Sequence, residues 1–176
     1  MINPLPQLIK PVKGSAVILL FFITFSCRFP YSFTGANISP EVKTFSVDYF
    51  QNRARLVNPQ LSQQFTEGLR DKIQHQTSLK EITDAGDLEF SGQIDGYEVR
   101  PVAIQKEDLA AQNRLTISIR VKFINNKDHD QDFDRSFSSY EDFSSSLSLS
   151  DIEGSLVPEI IKKLTEDIFN ASVANW

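Results

Sequence analysis

The chain holds one cysteine, two histidines and one tryptophan among its 176 residues. A single cysteine excludes an internal disulfide, so the fold must rest on its apolar core. Two histidines, His75 and His129, leave little material for acid–base chemistry or for a transition-metal site. No apolar run approaches the roughly 20 residues that a membrane-crossing helix needs. Positive charge is scarce too: 18 Lys and Arg face 23 Asp and Glu, a net charge of −5. Such a chain lacks the broad positive field that phosphate backbones require, which excludes a general nucleic-acid binder. It has no glycine-rich phosphate loop and no G-x-S-x-G elbow, and the serines of 136–150 have no histidine beside them. These gaps describe a non-enzymatic protein without a cofactor.

What is present begins at Ser15–Cys27, SAVILLFFITFSC, after Lys10 and Lys13. A positive start, a short apolar run and a small residue before a break read as a secretory signal, residues 1–26. The break falls on Cys27, preceded by Ser26, and resembles a lipobox, in which the cysteine is acylated and becomes the new N-terminus. The lipobox favours Leu three residues before the cysteine, where this chain has Thr24. Several acyl chains on Cys27 would hold the mature protein on a membrane for long times. Removing residues 1–26 takes two lysines and no acid, which moves the net charge from −5 to −7. Residues 27–41 carry two prolines and a glycine without helical period, and read as an extended tether. Residues 42–176 suit one domain.

Within that domain, Val42–Phe50 alternates as a strand, with Phe45, Val47 and Tyr49 on one face. Asn58-Pro59 opens a helix whose stripe is Leu61, Phe65, Leu69 and Ile73, with Gly68 beside it for a close approach to the sheet. Leu88 onward alternates, then changes phase at Gly96, which predicts a bulge. Arg114–Phe123 is the clearest strand: Leu115, Ile117, Ile119, Val121 and Phe123 point one way and the polar residues the other. Phe133–Phe143 is a fourth strand. A last helix follows a Ser150/Glu153 capping box, and Pro158 predicts either a kink or a later start. The expectation is an α/β (α+β) two-layer sandwich: two helices on one face of a four-stranded mixed sheet, order β-α-β-β-β-α.

Two groups of residues invite a functional test. Asp128, Asp130 and Asp132 imitate the opening of a calcium loop, but Phe133 and Ser139 stand where its glycine and its glutamate belong, so no metal is expected. Arg114, Arg120 and Lys122 share the clearest strand, the last two on its polar face. If helices cover the other face, these cations sit on an open sheet where a phosphorylated amphiphile could dock.

Several stretches in order resemble the LPS-assembly lipoprotein (LptE) family, in its bacteroidete-type form. They are Tyr31-Ser32-Phe33-Thr34-Gly35, Val42-Lys43-Thr44-Phe45-Ser46-Val47, Leu61-Ser62 with Phe65-Thr66-Glu67, Gly86-Asp87-Leu88, and Asn113-Arg114-Leu115-Thr116-Ile117. The ending Glu166-Asp167-Ile168-Phe169-Asn170 with Val173-Ala174-Asn175-Trp176 completes the set. The resemblance implies a helix-on-sheet sandwich anchored by lipid at the periplasmic face of the outer membrane. It implies as partners the LptD β-barrel, which such proteins plug and help to assemble, and lipopolysaccharide, whose insertion they assist. The alternative is a lipid-anchored auxiliary subunit of an envelope lipid or solute transporter.

Overall fold

The computed structural model describes residues 38–56, 58–102 and 111–174. The expected signal segment 1–26, Cys27 and residues 28–37 of the tether lie outside them. The elements in chain order are β1 (Thr44–Val47), β2 (Gln51–Asn52), α1 (Leu61–Gln76), β3 (Lys80–Glu81), β4 (Leu88–Val102), β5 (Gln112–Asn125), β6 (Phe133–Ser144) and α2 (Leu149–Phe169). The fold is a mixed α+β sandwich, but its sheet has six strands rather than four, in the order β3-β1-β4-β5-β6, with β2 also on β4. β1 runs parallel to β3 and β4, whereas β4, β5 and β6 form an antiparallel meander. Strands β2 and β3, two residues each, are too short to carry a period of two.

β2 exists because the expected first strand breaks. β1 pairs with Leu88–Phe90 of β4, and β2 resumes the same line at Gln93–Ile94. Between them the phase shifts: Tyr49 is 58% exposed, against expectation, and Phe50 is fully buried. The cause is Gly92, whose φ is +153°. A Cβ there would lie 2.7 Å from the Phe50 ring and 2.0 Å from the carbonyl oxygen of Arg120. Only glycine leaves that notch open. Phe50 fills it, its amide donates to Thr66 Oγ1 at 3.1 Å, and its ring meets Phe65 edge-on at 5.0 Å.

The long strands follow the sequence pattern. Register slips between Ile94 and Gly96, as the phase change predicted. Leu115, Ile117, Ile119, Val121 and Phe123 are all buried. The loop before β4 is fixed by Asp87, which accepts from the amides of Lys43 (2.8 Å) and Thr44 (3.0 Å) and lies 2.9 Å from Lys127 Nζ.

In α1, Leu61, Phe65, Leu69 and Ile73 have no exposed surface. Burying such side chains stabilises by roughly 1.5–3 kcal/mol each. Regular helix starts two residues after Pro59, yet Asn58 does the capping: its Oδ1 accepts from the amides of Gln60 (2.9 Å) and Leu61 (3.1 Å). Gly68 serves the other helix, not the sheet, since its missing Cβ would lie 3.1 Å from Ile161 of α2. Lys72 and Glu166 close the same contact as an ion pair. Arg70 ties α1 to the sheet, donating to the Val47 carbonyl at 2.8 Å. Its Nε lies 3.2 Å from Glu81, close enough to attract but not aligned to donate.

α2 runs through Pro158 without a delayed start. The expected capping box is absent: the Ser148 side chain caps no helix N–H, and its hydroxyl meets that of Ser150 instead. Glu153 is drawn away instead, accepting from Tyr97 Oη and from Asn58 Nδ2 (2.9 Å). Burial first, then this carboxylate, push the Tyr97 hydroxyl well above the usual phenol range. Both helices and one face of the sheet share a single apolar cluster. Among the described residues, nothing covers the other face of the sheet.

Candidate functional site on the open sheet face

Alternation along β5 decides what the open face carries. Since the odd residues 115–123 are buried, Arg114, Thr116, Ser118, Arg120 and Lys122 all point outward. Arg114 therefore joins Arg120 and Lys122 on the polar face. Register brings β4 and β6 alongside: Arg100, Arg114 and Asp142 form one row, Glu98, Thr116 and Tyr140 the next, and Gly96, Ser118 and Ser138 a third. A groove of about 650 Å³ lies over β4 and β5, with Gly96, Thr116 and Ser118 in it and Arg100, Glu98 and Arg114 around it.

The three expected cations are not equivalent. Arg114 grips Asp142 with two hydrogen bonds (2.7 and 2.9 Å) and stacks over the Tyr140 ring at 3.6 Å. Arg120 grips Asp134 in the same way (2.8 and 3.1 Å). These bonds hold both carboxyls below the usual range and both guanidiniums above theirs. An anion reaching either arginine must first displace a carboxylate. Lys122 has no ion pair among the described residues. Arg100, which the sequence reading passed over, is tied to Glu98 at 2.6 Å. Its place beside Arg114 depends on hairpin register, which the β4 pattern alone did not fix.

The remaining titratable candidates do structural work. His75 is exposed at the end of α1, its Nδ1 2.7 Å from the Asp71 carbonyl. His129 sits in a 3-10 turn, His129–Gln131, with Nδ1 3.0 Å from Asp132. Asp128 spends its carboxylate on that turn, accepting from the Asp130 amide and from Gln131 Nε2. Asp132 accepts from the Asn125 amide at 2.7 Å. The aspartates that imitated a calcium loop therefore build a hairpin tip. Cys27 lies outside the described residues, and so does Trp176. Val173, just before the end, is fully buried. No helix among the described residues is long and apolar enough to cross a membrane.

Comparison with known proteins follows from this fold. The hypothetical protein CT253 from Chlamydia trachomatis superposes with a TM-score of 0.51 at 9% identity, covering 72% of this chain and 93% of that one. A minor lipoprotein from Acinetobacter baumannii gives 0.47 at 13% identity, covering 76% and 94%. Uncharacterized lipoprotein B from Nitrosomonas europaea gives 0.47 at 12%, covering 72% and 79%. At such identity the first likeness speaks to the fold alone. No curated protein matches the chain. The family model described as LptE, lipopolysaccharide-assembly, matches residues 42–172, from two residues before β1 to the last turn after α2. A match over that span, on a helix-on-sheet sandwich with one wet face, places the chain in the LptE lipopolysaccharide-assembly family.

Proposed function

We propose that this protein is a lipoprotein of the outer membrane, acylated at Cys27 after loss of residues 1–26 and facing the periplasm. Residues 27–41 tether the sandwich of residues 42–176. The domain plugs the LptD β-barrel, helps it to assemble, and assists the insertion of lipopolysaccharide into the outer leaflet. The observation that carries this reading is the family match across the whole sandwich. The physical layout supports it: one face is spent on the core, and the other presents hydroxyls, carboxylates and arginines over an exposed tyrosine. Such a surface suits a polar partner better than a lipid tail. Family membership also argues for a binding role over a catalytic one. Arg114, Arg120 and Lys122 are proposed as the contacts for an anionic glycolipid.

Depletion with crosslinking tests the proposal. A photoreactive residue at Ser118 should trap a large outer-membrane barrel in intact cells. Depletion should lower the level of correctly assembled barrel and of surface lipopolysaccharide. Normal barrel and surface lipopolysaccharide after depletion would reject it.

A further inference from the structure

Among the described residues β6 is an edge of the sheet, 12 residues long. It contains no proline, glycine or lysine, and its ladder to β5 has no bulge. Those are among the devices that normally keep an edge from pairing with another chain; charged side chains are another, and β6 carries Asp134, Arg135, Glu141 and Asp142, which any partner must match. Ser145 donates to the Ala111 carbonyl at 3.0 Å, which marks the odd-numbered residues as those bonded to β5. Alternation then turns the N–H and C=O groups of Asp134, Ser136, Ser138, Tyr140 and Asp142 outward. Among the described residues, the side chain that reaches this row is Lys163, 3.4 Å from the Tyr140 carbonyl.

We propose that, in the protein not seated in a barrel, β6 pairs antiparallel with β6 of a second copy of this chain, about a two-fold axis through Ser138. In that register Asp134, Ser136 and Ser138 exchange backbone bonds with Asp142, Tyr140 and Ser138 of the second copy. On the helix-side face, Arg135 lies opposite Glu141 and Phe133 opposite Phe143, each twice by symmetry. Arg135 suits the role. It has no ion pair among the described residues and rests over the rings of Phe133 and Phe137 at 4.6 and 4.8 Å. The one juxtaposition of like charge, Asp134 with Asp142, is already neutralised within each copy by Arg120 and Arg114. Sliding the pairing by one step either way sets Arg135 opposite Ser139 or Phe143 and loses both ion pairs. Lys163 has only to leave the Tyr140 carbonyl, since it keeps Glu141 at 2.6 Å.

Cysteine bridging in the purified full-length chain, in detergent, tests this. Ser138→Cys faces itself across the axis at a separation a disulfide can span, whereas Ser144→Cys has no counterpart. The wild-type chain sets the baseline for any bridge through Cys27. Mild oxidation should convert Ser138→Cys to a covalent dimer at least about tenfold more than Ser144→Cys. Adding Arg135→Glu should abolish that dimer, and adding Glu141→Arg as well should restore it. Circular dichroism shows that each variant is folded. Equal bridging at positions 138 and 144, no bridging in folded Ser138→Cys, or no rescue by the double charge exchange would overturn the proposal.

Discussion

At the scale of single residues, Gly92 and Asp87 carry more than their size suggests. Gly92→Ala would drive a methyl group into the Arg120 carbonyl and the Phe50 ring, at a φ that side chains rarely adopt. The expected cost is about 3 kcal/mol or more, read as a fall in the urea midpoint; a change under about 1 kcal/mol would contradict the close approach described here. Asp87 acts through charge. Lys127 first, then the Lys43 amide, hold its carboxyl well below the usual range. A depressed carboxyl stabilises fully above its unfolded pKa, near pH 4, and the contribution is lost as pH falls toward its folded value. Asp87→Asn keeps an acceptor but removes that titration. Its urea midpoint should therefore fall less between about pH 5 and pH 2 than the wild type's. Parallel curves would show that the carboxyl is not the group responsible.

At the scale of elements, β5 was the most legible part of the chain and remains the most useful. Five alternating apolar residues, Leu115 to Phe123, announced both its buried face and the direction of Arg120, and the structure adds Arg114 to the same side. What the sequence could not announce was who holds them. Asp134 and Asp142 lie on β6, and their bidentate grips depend on hairpin register. Glu153 shows the same limit: its spacing from Ser150 fits a cap, yet a buried Tyr97 hydroxyl and Asn58 compete for it and win. Phe50 and Tyr49 exchange roles because of a notch in a strand some 40 residues away, which no local period records. The bulge at Gly96 was readable because its phase change is local. For the proposed ligand face, Arg120→Glu with Lys122→Glu should weaken binding of lipopolysaccharide micelles at least about tenfold, by reversing two charges at the surface. The far-ultraviolet circular dichroism should stay the same, since both side chains are exposed. Unchanged binding would remove the pair from the site.

For the whole molecule, the sandwich and the proposed anchor are separable in principle, and so are their tests. The family resemblance was legible because short stretches recur in order from Tyr31 to Trp176. Two of the six strands were not, because two residues form no pattern. The proposed anchor rests on Cys27, its apolar approach and Ser26. Cys27→Ser should leave an uncleaved precursor or a soluble protein, with no incorporation of labelled palmitate. A variant that fractionates and labels like the wild type would refute acylation at this position.

The opening left in β4 by Gly92 works like the ward of a lock. A benzyl ring can enter the sheet at one step along that strand and at no neighbouring step, because every adjacent residue brings its own Cβ. The first strand line of the domain, β1 and β2, therefore has a single seating. Slippage there would leave a Phe outside in water and an empty slot within. A chain refolding from any unfolded state thus comes back to one alignment, with Thr44 to Asn52 keyed in place.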